Sequence, residues 1–413
     1  MTPTIFISAG EASGELYGAL LATALSHKFT PKAKTAKLFG MGGLRMAAAG
    51  VEIVVRSEDM AVMGFTEILL HLPRIYAEFR KLKQAIRARR PTVAVLIDFP
   101  EIHFRLAKEL HRLGVPVIYF VSPQLWAWKQ GRIHKVREFI QRMLVIFPFE
   151  ESFYRERGVE AEFVGNPLAD LPPPAISREA FAAENRLNPA KIWIGLLPGS
   201  RMKEIEANLP EMLEAAWDLH SPEPPGTSPE ETYEFLIPLA PTLDATQRKV
   251  VVRMAEKYGG GLPVRLVEDA RAALFHARAS VVASGTATVE AALIGNPFVV
   301  VYRVSRLTYA IARRLVKVPH VAMANLIAGK RVVPELIQQD FTAANIVQHL
   351  RQLLSDGPAR ESMMKELGTI REALHVRTAA GRDKDLGAID TVADLVAREI
   401  ETADPAAQKA AQP

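Results

Sequence analysis

The sequence contains no cysteine, and aromatic residues make up only 7% of it. A chain without thiols has no disulfides, no thiolate metal ligands and no cysteine nucleophile, and it fits a reducing compartment. Uncharged apolar runs are also short. Residues 279–302 come closest to the roughly 18 residues that a transmembrane helix needs, but Glu290, Asn296 and Pro297 interrupt them. No membrane span is therefore expected.

Targeting and cofactor signals are missing as well. The amino terminus, Met1 to Ser8, has no basic region followed by an apolar stretch of signal-peptide length, so we expect a cytoplasmic protein. Gly10 and Gly14 do not have the spacing of the dinucleotide fingerprint, which disfavours a Rossmann cofactor site. An Asp-x-Asp at residues 383–385 lies in a charged stretch rather than at a strand end. We expect neither a metal nor another cofactor.

The chain does contain an alternation of short apolar runs and helical patterns, extending over 413 residues that are 49% hydrophobic. This length exceeds what one hydrophobic core usually serves, and the alternation is typical of α/β folds with parallel sheets. We predict two Rossmann-like, doubly wound domains. The predicted strands are Ile5–Ser8, Val93–Ile97, Pro116–Val121, Met143–Ile146, Ile192–Leu197, Phe235–Pro238 and Ser280–Ala283.

The domain boundary is predicted at three consecutive prolines, residues 172–174, which stiffen the chain and interrupt any regular element. We expect an amino-terminal domain over residues 1–172 and a carboxyl-terminal domain over residues 185–374. Helical patterns near 360–374 and 386–401 close the chain. The helices of about 375–402 are expected to pack on the first domain or on a partner subunit, and residues 403–413 to form a disordered tail.

Two strand-to-helix turns in the second half carry the clearest functional pattern, LPGSR at 197–201 and ASGTATVE at 283–290. Each follows an apolar run and opens a helical pattern, so each presents backbone N–H groups and hydroxyls to an anion. Two such turns predict a diphosphate site, where Arg201 is able to hold a phosphate bidentately. Glu290 lies about one helical turn after Thr286, where it suits the hydroxyls of a ribose. The alternative is an ordinary helix glutamate.

The first half has a similar turn after its first strand. Gly10 and Gly14 would allow a ligand close to the backbone, and Glu11 and Ser13 are able to hydrogen-bond sugar hydroxyls, unless the glycines serve only a tight turn. Asp98 ends the run at 93–97, at the sheet edge where ligands of parallel α/β proteins bind. A helix cap is an equally good interpretation of this aspartate.

Three further features of the first half are less specific. Glu101 and His103 are rival bases, although we interpret His103 as a structural histidine. Trp126 and Trp128 either line an apolar ligand surface or pin their loop, and for Trp128 we favour the core. Residues 74–90 hold seven basic residues and one acid beside apolar residues from Met60 onward. A solvated helix face and an anionic membrane surface both explain this pattern, whereas nucleic acid is less favoured because no recognition module accompanies it.

Together these stretches closely resemble the lipid-A-disaccharide synthases. The motifs follow one another in the same order over roughly residues 4–375. Each motif is weak, and the ordered set is highly specific. The matching stretches are SAGEASGELYG at 8–18, FGMGG at 39–43, LIDFPEIHFRLA at 96–107, VSPQLWAW at 121–128, GNPLAD at 165–170, LLPGSRMKEIEANLP at 196–210, ASGTATVEAALIGNPFVVVYR at 283–303 and VPELIQQDFT at 333–342.

The resemblance implies a glycosyltransferase of the GT-B type, with two domains facing a central cleft. It implies an inverting reaction that moves 2,3-diacylglucosamine from UDP to the 6-hydroxyl of 2,3-diacylglucosamine 1-phosphate. The enzyme would be peripheral on the inner face of the inner membrane, docked through residues 60–90, and a homodimer through its carboxyl-terminal part is a further expectation. Acyl chains that each contribute about 0.8 kcal/mol per buried methylene explain an apolar, basic docking surface.

The resemblance also assigns site residues. Asp98 aligns with the catalytic aspartate and would act as general base, and Arg201 would stabilise the diphosphate. The UDP site would contain Gly199, Ser200, Arg201, Ser284, Gly285, Thr286, Thr288 and Glu290, with Asn325, Glu335 and Gln338 as weaker candidates. The acceptor side would contain Gly10, Glu11, Ser13, Gly14, Ser122 and Trp126.

Several positions depart from the usual family pattern, namely Glu15, Tyr17, Phe99, Glu101 and Asn166. They concern the acceptor side and leave Asp98 and the two turns unchanged. Three other functions remain as alternatives: a transferase acting on another lipid-linked precursor, a UDP-sugar epimerase and, least favoured, a non-catalytic lipid-binding module. Acceptor assays separate the first two from the expected enzyme, and tolerance of Asp98 loss would mark the third.

Overall fold

The structure is a computed structural model that describes residues 2–29, 36–60, 65–221, 233–315, 318–376 and 386–402. Within these ranges no helix is both long enough and apolar enough to cross a bilayer. The chain divides into two compact units. Unit 1 comprises residues 1–170 and 374–413, and unit 2 comprises residues 171–373. The proline run at 172–174 thus begins unit 2.

Unit 1 is built on a parallel sheet in which seven strands are described, in the order β3-β2-β1-β4-β5-β6-β7. The central strands consist almost entirely of buried apolar residues, as expected where helices cover both faces. The strands are β1 (Thr4–Ala9), β2 (Lys37–Gly42), β3 (Glu52–Arg56), β4 (Val93–Ile97), β5 (Val117–Phe120), β6 (Arg142–Val145) and β7 (Ala161–Phe163).

Helices connect these parallel strands. They are α1 (Ala12–Phe29), α2 (Leu44–Ala48), α3 (Phe65–Arg89), α4 (Pro100–Arg112), α5 (Ile133–Phe139) and α6 (Pro148–Arg155). Phe6, Phe39, Leu96 and Tyr119 belong to one cluster of buried residues that forms the core on one side of the sheet. Buried apolar residues of α3, α4, α5 and α6, such as Leu82 and Leu106, complete this core.

Unit 2 repeats the architecture with a parallel sheet of six described strands, ordered β10-β9-β8-β11-β12-β13. Counted within each unit, both sheets have the strand order 3-2-1-4-5-6, which is the doubly wound order of the Rossmann fold. The strands are β8 (Ile192–Leu197), β9 (Tyr233–Pro238), β10 (Val264–Val267), β11 (Ala279–Ala283), β12 (Phe298–Tyr302) and β13 (Glu335–Ile337).

The helices of unit 2 include two whose first residues follow the predicted turns directly. They are α8, which begins just after Arg201, and α11, which begins just after Gly285. The full set is α7 (Arg178–Asn185), α8 (Met202–His220), α9 (Ala245–Gly259), α10 (Ala270–His276), α11 (Thr286–Ile294), α12 (Arg306–Leu315), α13 (Met323–Ala328), α14 (Ala343–Leu354) and α15 (Pro358–Leu374).

The last helix, α16 (Ala388–Thr402), returns to unit 1 and packs against α1 and β4. Its buried stripe includes Val392 and Val396, and Asp394 pairs with Lys28 of α1. Asp170, at the end of the first part of unit 1, accepts a hydrogen bond from the Ala388 backbone N–H at 2.5 Å. Helix α16 is therefore part of the unit 1 core.

Candidate active site

The predicted turns after β1, β4, β8 and β11 lie at one position in each sheet. In a doubly wound sheet the strand order reverses between the first and fourth strands, and ligands bind beyond the carboxyl ends of the strands at this switch point. In unit 1 the switch lies between β1 and β4, where Ala9 pairs with Ile97. In unit 2 it lies between β8 and β11, where Leu197 pairs with Val282. The residue after Ile97 is Asp98, and the residues after Leu197 form the LPGSR turn.

Asp98 has a strained backbone. Its φ is +52°, and that of the following Phe99 is +50°, so two consecutive residues with side chains adopt the left-handed conformation. Val121, at the end of the neighbouring β5, also has a positive φ of +64°, which is unusual for a β-branched residue. Strain of this kind costs about 1–3 kcal/mol per residue and persists only where the surroundings impose it, most often at functional sites.

Two buried side chains hold the Asp98 carbonyl in this conformation. The Tyr119 hydroxyl donates to the Asp98 carbonyl oxygen at 2.6 Å, and His103 Nδ1 lies 2.5 Å from the same oxygen. A carbonyl only accepts, so Nδ1 carries the proton and Nε2 accepts from the Ser8 hydroxyl 2.9 Å away. Burial lowers the pKa of His103 to about 4, so the ring is neutral at physiological pH. The interpretation of His103 as a structural histidine is confirmed.

The glycine turn after β1 is covered by the neighbouring turn. Gly10 is buried, and a Cβ built on it would lie 2.3 Å from the Phe99 ring. Glu11 and Ser13 are half-buried at the start of α1, and Gly14 is buried against Ile97. This chain has Phe99 where the family usually has a small residue, and the Phe99 ring packs on Gly10. The roles of Gly10, Glu11, Ser13 and Gly14 toward an acceptor stay predictions.

Ser122 and Trp126 follow β5, and both side chains point into the protein. The Ser122 hydroxyl lies 2.7 Å from the Tyr154 hydroxyl, and Trp126 Nε1 donates to Glu150 Oε1 at 3.0 Å. Burial raises the pKa of Glu150 to about 8, although Trp126 and the Phe147 N–H both stabilise its charge. Helix α6 therefore anchors this loop, and in this structure Ser122 and Trp126 fix its shape.

Two interpretations of this region change with the structure. Trp126 is the buried tryptophan at 8% exposure, while Trp128 is 43% exposed with Lys129 Nζ 4.0 Å from its ring centroid. The core interpretation of Trp128 was therefore wrong, because the loop turns its side chain to solvent. Glu101 forms ion pairs with Arg132 at 2.8 Å and Lys129 at 3.1 Å, and their hydrogen bonds lower its pKa against the opposing effect of burial. A rival base committed to two cations is a poor proton acceptor.

In unit 2 the turn after β8 has an exposed Ser200 and Arg201 ahead of α8. Gly199 has a φ of +128°, a conformation that side chains rarely adopt. Behind the turn, the Thr242 hydroxyl donates to the Ser200 carbonyl at 2.9 Å and Asn208 Nδ2 donates to the Pro198 carbonyl at 2.8 Å. These two bonds fix the direction of the loop peptides.

The turn after β11 is similar. Gly285 and Thr286 are exposed at the start of α11, whereas Thr288 is fully buried and its hydroxyl donates to the Gly285 carbonyl at 2.7 Å. The Ser284 hydroxyl donates to the Val321 carbonyl at 3.3 Å. Burial raises the pKa of Glu290, which lies one turn further along α11, while the charge of Arg271 opposes the shift. Thr288 thus fixes the conformation of the turn, and Gly285 and Thr286 are its solvent-exposed residues.

The weaker UDP candidates have internal roles. Asn325 is fully buried and makes four hydrogen bonds, to the Val332 and Val333 N–H groups, the Val333 carbonyl and Glu335. An amide has no further capacity. Glu335 Oε1 accepts from the Val321 and Ala322 N–H groups before α13, and Gln338 bonds both backbone groups of Val304. In this structure these three residues brace the loops around β12 and β13.

The next candidate feature is a metal site. No group of three or more potential metal ligands occurs among the residues that the structure describes, and Asp383 and Asp385 lie outside them.

The segment 60–90 is described only in part, because residues 61–64 and the side chains of 65–72 lie outside the described set. Of its basic residues, Arg74, Lys81, Arg87 and Arg89 form ion pairs with Asp59, Glu78, Glu109 and Glu52. The predicted disordered tail, residues 403–413, also lies outside the described residues.

Comparison with known proteins decides the family. The sequence model described as lipid-A-disaccharide synthetase matches residues 5–384. The chain belongs to the lipid-A-disaccharide synthase family. A curated lipid-A-disaccharide synthase of Acidobacterium capsulatum is 57% identical over 381 residues, covering 90% of this chain and 92% of the relative. Another, of Koribacter versatilis, is 50% identical over 370 residues, covering 90% and 93%. The protein is thus a transferase of lipid A biosynthesis.

Solved structures share the fold at low sequence identity. The MurG structure of Acinetobacter baumannii has a TM-score of 0.55 and 14% identity, with 96% of this chain and 99% of that chain covered. A UDP-GlcNAc 2-epimerase of Neisseria meningitidis, solved with UDP-GlcNAc, has a TM-score of 0.51 and 14% identity, covering 97% and 100%. This chain therefore shares the GT-B type of fold with a MurG protein and a UDP-GlcNAc 2-epimerase.

The residues that sequence reasoning missed are those that act through others. The sequence analysis assigns no role to Ser8, Tyr119, Glu150, Tyr154 or Glu204. Ser8 and Glu204 lie in the stretches SAGEASGELYG and LLPGSRMKEIEANLP, whereas Tyr119, Glu150 and Tyr154 lie outside the matching stretches. Motif membership alone does not say whether a side chain faces a ligand or a neighbouring strand.

Proposed function

We propose that this member of the family transfers 2,3-diacylglucosamine from UDP to the 6-hydroxyl of 2,3-diacylglucosamine 1-phosphate with inversion at the anomeric carbon. The acceptor oxygen forms a bond to the anomeric carbon, and the bond from that carbon to the diphosphate oxygen breaks. The acceptor proton passes to Asp98, and UDP leaves with the electron pair. Neither a metal nor another cofactor takes part in this proposal.

The observation that carries the proposal is Asp98 itself. It stands at the switch point of unit 1 in a strained conformation that Tyr119 and His103 maintain. A sugar hydroxyl is a poor nucleophile near neutral pH, and a positioned base contributes about 10²–10⁴-fold to its attack. UDP is a weakly basic leaving group, so the second carboxylic acid used by glycoside hydrolases is not needed.

The switch point of unit 2 supports the leaving-group side of the proposal. Ser200 and Arg201 before α8, and Gly285 and Thr286 at the start of α11, are exposed residues that carry backbone N–H groups and a guanidinium at adjacent strand ends. Each donor placed on developing charge in a dry site contributes about 3 kcal/mol, against about 0.3–1 kcal/mol for a helix dipole. Arg201 and these N–H groups would bind the diphosphate, and Glu290 the ribose.

The direct experiment incubates the full-length protein with UDP-diacylglucosamine and diacylglucosamine 1-phosphate. The expected result is one UDP released for each β-1,6 disaccharide phosphate formed. Mass spectrometry identifies the product, and the coupling constant of its anomeric proton gives the configuration of the new bond. Reaction with a different lipid-linked acceptor alone would assign another transferase. Conversion of the UDP-sugar without any acceptor would assign an epimerase, and either result refutes the proposal.

The lipid substrates motivate two further parts of the proposal. The protein docks peripherally on the anionic inner face of the inner membrane through segment 60–90, where Tyr76 is 62% exposed beside the exposed Arg80. Apolar and basic side chains together suit such a surface. A homodimer through the carboxyl-terminal part is also proposed, and light scattering of the full-length protein tests it by a mass of two chains rather than one.

A further inference from the structure

Glu204 folds back over the LPGSR turn. One carboxylate oxygen, Oε2, accepts from the Ser200 backbone N–H at 3.1 Å, and the other, Oε1, lies 3.2 Å from Arg201 Nη1. Ser200 N–H and the Arg201 guanidinium are two of the donors that the proposed function assigns to the diphosphate of UDP. An internal anion therefore engages donors that an external anion would need.

The turn is shaped to admit this carboxylate. A Cβ built on Gly199 would lie 2.6 Å from Glu204 Oε2 and 2.7 Å from Glu204 Cβ, so any side chain at this position would displace Glu204. The carbonyl oxygens of Pro198 and Ser200 are held from other directions by Asn208 and Thr242. The peptide N–H of Ser200 points at Glu204 Oε2, which accepts its hydrogen bond.

The charges of Glu204 and Arg201 both act on Tyr302, the last residue of β12. Burial raises the pKa of Tyr302, the negative charge of Glu204 raises it further, and the positive charge of Arg201 lowers it. Glu204 is half-buried, while Ser200 and Arg201 are exposed. A side chain of this length at a solvent-exposed turn is able to rotate away without disturbing the sheet.

We propose that Glu204 is an internal competitor for the donor diphosphate, occupying the Ser200 and Arg201 donors when the nucleotide is absent and leaving them when it binds. The proposal rests on the proposed function of this turn. A competing carboxylate weakens the apparent affinity for UDP by the fraction of molecules in which the donors are occupied. It also speeds product release, because the carboxylate recovers the donors as UDP departs.

The alternative is that Glu204 only caps α8. A glutamate at this position of a helix commonly accepts from an N–H before the first turn, and this contact stabilises the helix without reference to a ligand. The two roles predict opposite results for removal of the charge. Loss of a cap lowers the melting temperature and leaves UDP affinity unchanged or weaker, whereas loss of a competitor increases UDP affinity.

The experiment measures UDP binding by isothermal titration calorimetry with full-length wild type, Glu204→Gln and Glu204→Asp. The amide has no charge for Arg201, and the shorter aspartate does not reach Ser200 N–H. We expect Glu204→Gln to bind UDP about 3–10-fold more tightly, in line with a partly exposed charged contact, and Glu204→Asp to lie between it and wild type. Glu206→Gln, which removes the same charge from an exposed position two residues further along α8, should change the affinity less than about 2-fold.

Each outcome has one meaning. Unchanged or weaker UDP binding by both Glu204 variants, with normal binding by wild type, overturns the competitor and leaves a cap. Equal tightening by Glu206→Gln overturns it too, because a general charge effect then explains the gain. Absence of UDP binding by wild type overturns the proposed function of the turn, and the competitor with it.

Discussion

The switch points of the two units have the same strand order but use their hydrogen-bonding groups differently. In unit 1 the polar groups are turned inward: Tyr119 and His103 hold the Asp98 carbonyl, and α6 holds Ser122 and Trp126. In unit 2 two helices begin at the switch point with exposed residues, Ser200 before α8 and Thr286 as the first residue of α11. The first arrangement fixes the backbone of Asp98, the residue that carries the proposed base. The second presents several donors, as binding of an anion requires.

The largest expected effect tests the fixed group of unit 1. We expect Asp98→Asn to lower kcat by about 10²–10⁴-fold, because it removes the proton acceptor. Asparagine tolerates the left-handed conformation as aspartate does, so the turn should keep its shape. Steady-state turnover with both lipid substrates measures the effect, and a matching circular dichroism spectrum checks the fold. A kcat within about 3-fold of wild type would move the base to another residue.

The next effect tests whether the two buried side chains that contact the Asp98 carbonyl, Tyr119 and His103, position Asp98. Tyr119→Phe removes the hydroxyl donor and leaves His103 to hold the carbonyl alone. We expect about a tenfold lower kcat with little change in KM, since the base is displaced while the nucleotide turns are untouched. Tyr233→Phe removes a hydroxyl at the first residue of β9, at the sheet edge opposite the carboxyl ends of the strands; it is the control and should leave kcat near wild type. Equal losses in both variants would mean general destabilisation.

A smaller effect concerns the pH dependence of stability in unit 1. The folded state raises the pKa of Glu150 from 4.5 to about 8, so the folded protein binds this proton more tightly than the unfolded chain does. The free energy of unfolding should therefore fall as pH rises from about 5 to about 8. Glu150→Gln keeps the acceptor for Trp126 without a charge, and its urea denaturation midpoint should decline less over the same range. Parallel declines in both proteins would assign the proton elsewhere.

The smallest effect concerns the surface of unit 1. Arg80 and Lys83 of α3 are not among the basic side chains that the structure pairs with carboxylates, so they are better probes than Arg87 or Arg89. We expect Arg80→Glu with Lys83→Glu to weaken sedimentation with anionic phospholipid vesicles by at least several fold, because each basic residue near such a surface contributes up to about 1 kcal/mol. Arg105→Glu with Lys108→Glu makes the same charge change on α4 and should bind normally. Equal binding by all three proteins would remove segment 60–90 as the docking surface.

Much of the fold followed from the sequence because buried parallel strands are continuous apolar runs. The predicted strands Val93–Ile97 and Ile192–Leu197 coincide with β4 and β8. The strands β2, β3, β7, β10, β12 and β13 were not among those predicted. Strand β2 contains two glycines, and β7 and β13 have only three residues each, so pairing with neighbours rather than composition makes them strands.

The positions of the candidate site residues in the fold were predictable to the same extent. Asp98 and the two turns stand out because they follow strands directly, and the carboxyl ends of parallel strands share one edge. The contacts that hold the Asp98 carbonyl were not predictable. His103 is oriented by Ser8, which is 95 residues away in the sequence, and the two meet only because β1 and β4 are neighbours. The exposure of Trp128 and the inward direction of Trp126 likewise depend on the loop conformation rather than on residue type.

The division of roles between the switch points is tested most directly by titrating UDP into Asp98→Asn and Arg201→Ala side by side. If unit 1 supplies the base and unit 2 holds the leaving group, Asp98→Asn should bind UDP within about 2-fold of wild type, and Arg201→Ala should bind at least about 10-fold more weakly. Loss of UDP binding in Asp98→Asn, together with wild-type affinity in Arg201→Ala, would contradict this division.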